Sequence, residues 1–318
     1  MATTTIRGDR YVEQDEETDR LSNLSDDILQ HLLSFLDDTK FTVQTSLLSR
    51  RWRHLWKDVP ALHFRRNSFH TGDQFQTFQR NVLSLRSGRT GHRDQVLRVL
   101  SFRQCYGETD EIYGMVASVT TRHESLATLQ FFWCAWIDLG GIAACRFGAA
   151  LTTLELRGCS LVFRDGDDPF ADLPLLECLK IISCVSTSRA VKVSGLRLLS
   201  LQIDNADGFG IGELLAPRLE SFYFSSCVNR LLELRPLNLP SLGRASVLLR
   251  LMCGLSDEQT RAVMSLLRGL CNAKSLHLCF EDMFRRSEIS SLINMIKPMI
   301  DEQLSQFTRL ETSRIRCS

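Results

Sequence analysis

The apolar positions of this chain fall into two textures. Between Ser25 and Trp56 they recur at helical spacing. Ile28, Leu29, Leu32, Leu33 and Leu36 lie on one broad stripe. Ser25 stands where it can cap the helix, and Asp26 and Asp27 suit the positive end of its dipole. After a polar break at Asp37 and Asp38, a second apolar face runs through Val43, Leu47, Leu48, Trp52, Leu55 and Trp56, with Arg50, Arg51 and Arg53 on the wet side. So short a segment cannot bury so broad a stripe alone. It must pack on the following domain or on a partner, and Leu55 and Trp56 are expected to pack against residues 59–64.

Beyond Val59 the pattern becomes a repeat. Its unit is an apolar residue, further apolar residues three and five positions later, and a small residue eight later. It reads Leu97, Leu100, Phe102, Cys105, then Leu126, Leu129, Phe131, Cys134. Leu151, Leu154, Leu156, Cys159 follow, then Leu176, Leu179, Ile181, Cys184, then Leu198, Leu201, Ile203, Ala206, then Leu219, Phe222, Phe224, Cys227. Weaker copies end at Asn67, Arg250 and Glu281. The six strong copies are spaced by 29, 25, 25, 22 and 21 residues, within the leucine-rich-repeat range. The alternate apolar pair points inward from a short strand, and the last residue must be small and able to bond the departing turn. The expected fold is α/β. A small all-α head precedes a leucine-rich-repeat solenoid with one parallel sheet on its concave face. Helices are expected at 69–85 (Phe75, Phe78, Val82 and Leu85 inward), at 257–270, and at 288–304 as an end cap. The divisions are a polar disordered tail at 1–18, the helical head at 19–60, repeats at 61–281 and a C-terminal helical region at 282–318.

Composition narrows the function. With 44% hydrophobic and 24% charged residues the chain is a packed protein, and a formal charge of +1 provides no global field toward nucleic acid or membrane. No run of about 18 apolar residues suggests a membrane span. Residues 1–20 are acidic without an apolar core, so neither a secretory signal nor a transit peptide is expected. The expected compartment is reducing, cytoplasm or nucleus. The eleven cysteines are therefore not expected to form a disulfide scaffold. No Cys-x-x-Cys occurs, and Cys271, His277 and Cys279 lack a second ligand pair, so no metal or other cofactor is expected. Five of them, Cys105, Cys134, Cys159, Cys184 and Cys227, share one repeat position, which predicts a buried ladder of thiols. Two other chemistries are weak. The basic stretch from Ser49 to His54 sits among acidic residues, and the segment from Asp207 to Gly212 lacks the spacing of a phosphate loop.

The segment from Asp19 through Leu36 and the string Ser49-Arg-Arg-Trp-Arg-His-Leu-Trp56 resemble a plant-type F-box. Joined to the repeats, residues 19–281 resemble the plant F-box/leucine-rich-repeat family, including its FBD-type subgroup. The resemblance implies a non-catalytic substrate receptor of a Skp–cullin–F-box ubiquitin ligase. The head would dock on a Skp-type adaptor, and through it a cullin, while the repeats hold a target protein. It draws the adaptor contacts from Leu24, Ile28, Leu29, Leu32, Leu36, Leu47, Leu48 and Trp52. Of these, Leu29 and Leu36 are the favoured partner contacts. Ser25 replaces the family's usual Pro, which could weaken adaptor affinity. The 37 residues after Glu281 are short for an FBD region and are expected to hold at most a fragment. Residues beside the inward pairs, Glu155, Arg157, Lys180, Gln202, Asp204 and Tyr223, are the expected target-binding set. The alternative is a repeat scaffold without ligase association.

Overall fold

The computed structural model describes residues 21–87 except 22, 97–104, 126–140 except 139, 149–204 except 165 and 187–189, 210–251, 256–282 and 312–317, with a few isolated positions between 298 and 310. The expected tail at 1–18, Cys105 and nearly all of the expected helix at 288–304 lie outside the described residues.

The head is helical, as expected. Helix α1 spans Asp26–Ser34, α2 Thr39–Gln44 and α3 Trp52–Leu55. Ser25 occupies the N-cap of α1 with extended backbone, but its side chain makes no capping bond, which corrects the role expected of it. Asp38 does cap α2, accepting from the Lys40 backbone N–H at 2.9 Å. The polar break at Asp37 and Asp38 thus starts a helix as well as ending one.

Every strong or weak copy of the repeat is a strand of one sheet. Its strands are β1 (Ala61–Arg65), β2 (Val99–Arg103), β3 (Thr128–Phe132), β4 (Thr153–Arg157), β5 (Cys178–Ile182), β6 (Ser200–Asp204), β7 (Ser221–Cys227), β8 (Arg244–Leu251), β9 (Ser275–Asp282) and β10 (Thr312–Cys317). They run in sequence order and are all parallel. The register stacks the inward pairs on one another: Leu62, Leu100, Leu129, Leu154, Leu179 and Leu201 in one row, Phe64, Phe102, Phe131, Leu156, Ile181 and Ile203 in the next. All are buried. Phe102 stacks between Phe64 and Phe131 with centroids 5.7 and 5.5 Å away.

The turn after each early strand is also repeated. Gln104, Trp133, Gly158 and Ser183 all have φ between 52° and 64°. Each sends its N–H to the carbonyl that ends the next strand, at 2.7 Å. The cysteine that follows turns back into the core. Cys134, Cys159 and Cys184 are buried free thiols, and each Sγ–H lies 3.4–3.6 Å from two backbone carbonyls, one of them in the preceding strand. Cys227 departs from the expected ladder. It is half-buried inside β7 and pairs with Arg250. Where the small residue is replaced by Arg250 or Glu281, no turn forms, and β8 and β9 extend to eight residues.

Helix α4 (Gly72–Ser87) turns Phe75, Gln79, Val82, Leu83 and Arg86 inward, with Phe78 half-buried. Leu85 is exposed rather than inward, because Val82, Leu83 and Arg86 define the buried face one step round. Helix α5 (Asp257–Gly269) follows its expected bounds and carries a capping box between Ser256 and Gln259. Strand β10 was not foreseen. It adds to the sheet edge where only a helical region was expected.

Candidate interaction surfaces

The broad stripe of α1 resolves into two. Leu29, Leu33 and Leu36, spaced by four and three residues, face Trp52, Leu55 and Val59 and form a small core of the head. Ile28, Leu32 and Phe35, with the same spacing one residue earlier, face outward and are 48%, 44% and 70% exposed. Leu29 and Trp52 are buried, so the expectation that they meet a partner is corrected: the head consumes them to fold. Leu24 and Leu36 sit half-buried at the margin of the same cluster. Leu47 and Leu48, between α2 and α3, are the most exposed of the expected set, at 86% and 66%. Phe35 and Phe41 are exposed large apolar residues that the sequence reading left out. The signal for Phe35 was its place seven residues after Ile28.

Trp56 joins the solenoid core with Leu62 and Phe64, while Leu55 stays with the head. The junction is polar as well. Thr39 Oγ1 accepts from the His63 N–H at 2.8 Å, Asp38 accepts from the Ser68 hydroxyl, Asp37 pairs with Arg65, and Lys40 Nζ donates to the Ser68 carbonyl at 2.5 Å. Arg51 pairs with Asp26 at 2.7 Å, so one arginine of the basic stretch already has a carboxylate.

On the open face of the sheet, Glu155, Lys180, Gln202 and Tyr223 occupy four consecutive registers, as the repeat predicts. Glu155 is buried there, accepting from Arg157 at 2.6 Å and from Gln130 Nε2 at 3.0 Å. Its carboxylate is engaged within the chain. Lys180, Gln202, Asp204 and Tyr223 are half-buried. Burial and the charge of Asp204 push the Tyr223 phenol up, which keeps it a neutral donor. Arg65, Arg103 and Phe132 share the register row of Arg157 and were not foreseen.

Among the described residues, no three His, Cys, Asp or Glu side chains are grouped as a metal ion would need. No described helix is long and apolar enough to cross a membrane. Gly210 and Gly212, part of the glycine-rich segment, lie in a short strand (Gly210–Leu215) rather than a phosphate loop.

Residues 21–64 match the F-box domain family. The chain is 26% identical over 214 residues to F-box/LRR-repeat protein 25 of Arabidopsis thaliana, covering 60% of this chain and 78% of that protein. It is 28% identical over 221 residues to the Arabidopsis F-box/LRR-repeat protein At5g02910, covering 63% and 47%. The Arabidopsis F-box/FBD/LRR-repeat protein At4g26340 is 48% identical over 64 residues, covering 20% and 15%. The chain thus spans most of the first relative and less than half of the other two.

Proposed function

We propose that this chain, which carries an F-box at residues 21–64 and is related over most of its length to Arabidopsis F-box/LRR-repeat proteins, is the substrate-recognition subunit of a Skp–cullin–F-box ubiquitin ligase. The head docks on a Skp-type adaptor and the sheet face holds the protein to be ubiquitylated. The chain itself supplies no catalytic group, and the ligation chemistry belongs to the assembled complex, in the cytoplasm or nucleus.

The observation that carries this reading is the double stripe of α1. A helix whose only task was to close the head would need the face of Leu29 and Leu33, not the second face of Ile28, Leu32 and Phe35. A short helix with apolar residues on both faces is built for two partners, one internal and one external. Leu47 and Leu48 add exposed apolar surface. Leu24 and Leu36 contribute their outer edges, and Leu29 and Trp52 act from behind by holding the head's shape. On the sheet face, Arg157, Lys180, Gln202, Asp204 and Tyr223 remain the target-facing residues, with Glu155 fixing Arg157.

A scaffold without ligase association is the second reading, and the uncapped Ser25 favours it. Where a Pro would set the first turn of α1, the Ser25 side chain neither restricts the backbone nor caps it. Capture of purified adaptor decides between the two. Wild type should retain adaptor, and Leu32→Asp or Leu47→Asp should release it with the fold intact. No retention by folded wild type overturns the ligase reading.

A further inference from the structure

Trp133 and Trp136 combine two unfavourable features. Both have positive φ, at 57° and 56°, and both are more than half exposed. The next repeats are cut back beside them. The turn position after Trp133 in the stack is Gly158, and the one after that is Ser183. A Cβ on Gly158 would fall 2.3 Å from Trp133 Cε3, so the indole lies directly against that glycine. Trp136, just before the short strand Ile137–Asp138, lines up with Ser160 and then the exposed Val185. Small residues therefore leave two indoles standing proud on one turn.

The strand side of the same turn is cationic. Phe132 is buried with the guanidinium of Arg103 over its ring at 4.3 Å and that of Arg157 at 5.8 Å. Glu155 fixes Arg157 from behind. Arg65 extends the row on β1, so three arginines and one phenylalanine occupy four adjacent registers. Burial, then the charge of Arg65, disfavours the charged form of Arg103, while Asp37 and Glu155 favour it.

We propose that the turn end of β2 to β4, built from Arg103, Phe132, Trp133, Trp136 and Arg157, is a docking site for a protein segment carrying a carboxylate next to an apolar side chain. That the segment belongs to a ubiquitylation target rests on the receptor reading above. The surface itself stands on its own geometry. Flat guanidiniums held on a ring are pre-oriented for a carboxylate, and the exposed indoles offer rigid apolar area; tryptophan and arginine are the residues that dominate binding hot spots. A nucleic-acid strand fits less well. The arginine row ends at Ile182 and Asp204, which leaves no basic track for successive phosphates.

The test uses the full chain and three fluorescein-labelled peptides: one with a leucine flanked by aspartates and glutamates, one with lysines in place of the acids, and one with glycine in place of the leucine. The first should bind, and the other two should bind about tenfold more weakly or worse. Arg103→Gln with Arg157→Gln should erase the preference for acids, and Trp133→Ala the preference for leucine. Arg103→Lys, which keeps charge but loses the flat stack, and Trp136→Ala give the same readouts should a first variant melt early. Equal binding of the three peptides, no binding by wild type, or unchanged binding by folded variants overturns the proposal. So does tighter binding of a single-stranded oligonucleotide. Adaptor capture run in parallel separates the failures. Loss there overturns the ligase reading alone, whereas peptide failure with intact capture overturns this site alone.

Discussion

The Thr39 hydroxyl accepts a hydrogen bond from the His63 backbone N–H at 2.8 Å, joining the first residue of α2 to the first strand of the array. That N–H lies on the outer edge of the parallel sheet, where among the described residues no preceding strand supplies a carbonyl. The head thus covers the edge through a side chain. Thr39→Val should leave the donor unpaired and cost about 1–3 kcal/mol. Asp38→Ala, which removes both the α2 cap and the bond to Ser68, should cost at least as much. Urea unfolding of the full chain checks both, and full stability in Thr39→Val would remove the edge-capping role.

His63 itself should make the junction sensitive to acid. Burial, then the charge of Arg103, depresses its imidazole below the ordinary value of 6.5, with Arg65 acting the same way and Asp37 and Asp38 opposing. A histidine with a lowered folded-state value binds its proton more readily when unfolded. Stability is therefore retained above the unfolded value and falls as pH drops below about 6.5 until the folded value is passed, with a slope of at most about 1.4 kcal/mol per pH unit. His63→Gln should flatten that part of the stability–pH profile. An unchanged profile would place the titration elsewhere.

The two stripes of α1 make a paired prediction. Leu29 is fully buried, so Leu29→Asp should unfold the head, with a cost of several kcal/mol for an unpaired buried charge. Leu32 is 44% exposed, so Leu32→Asp should change stability by less than about 1 kcal/mol. Thermal unfolding monitored by circular dichroism tests this without a partner present. If both substitutions melt the head alike, the outward stripe is part of a core and not a surface.

The array was legible in the sequence because its signal repeats. One Leu-x-x-Leu-x-Leu carries little information, but parallel stacking forces the same positions inward in each copy, and the strands fall where those positions lie. The head was less legible for a geometric reason. Leu29 and Ile28 are adjacent in sequence and lie about 100° apart around a helix, so a stripe wide enough to hold both does not say which one is buried. Phe132, Trp133 and Arg103 escaped notice because nothing in the repeat constrains outward positions. Strand β10 escaped because its copy of the pattern lacks the second leucine: Ser313 stands beside Leu276, although Ile315 lines up with the inward residue Leu278. Ser25 was legible as a cap position but not as an idle one, since capping needs a rotamer that the sequence does not specify.

Gly158 should tolerate no side chain at low cost. Its φ of 64° is in the left-handed region, and a Cβ there would meet the indole of Trp133. Gly158→Ala should destabilise by about 1–2 kcal/mol through the backbone and also displace the indole. A lower melting temperature together with altered accessibility of tryptophan fluorescence to iodide is the expected pair. Gly158→Ala with unchanged quenching would show that the ring does not rest where the structure puts it.

The thiols make the last prediction. Cys134, Cys159 and Cys184 are at most 1% exposed and donate into the backbone of two neighbouring strands. The hydrogen bond with Cys159, together with burial, pushes the Cys184 thiol up, so at neutral pH it has almost none of the thiolate that alkylating agents attack. In the folded chain these three should resist iodoacetamide while the half-buried Cys227 and Cys271 react sooner, and all should be labelled in urea. Peptide mapping by mass spectrometry reads each site separately. Rapid labelling of Cys184 in the folded chain would mean that the turn after β5 opens on the timescale of the reaction, and the thiol ladder would then not be a permanent part of the core.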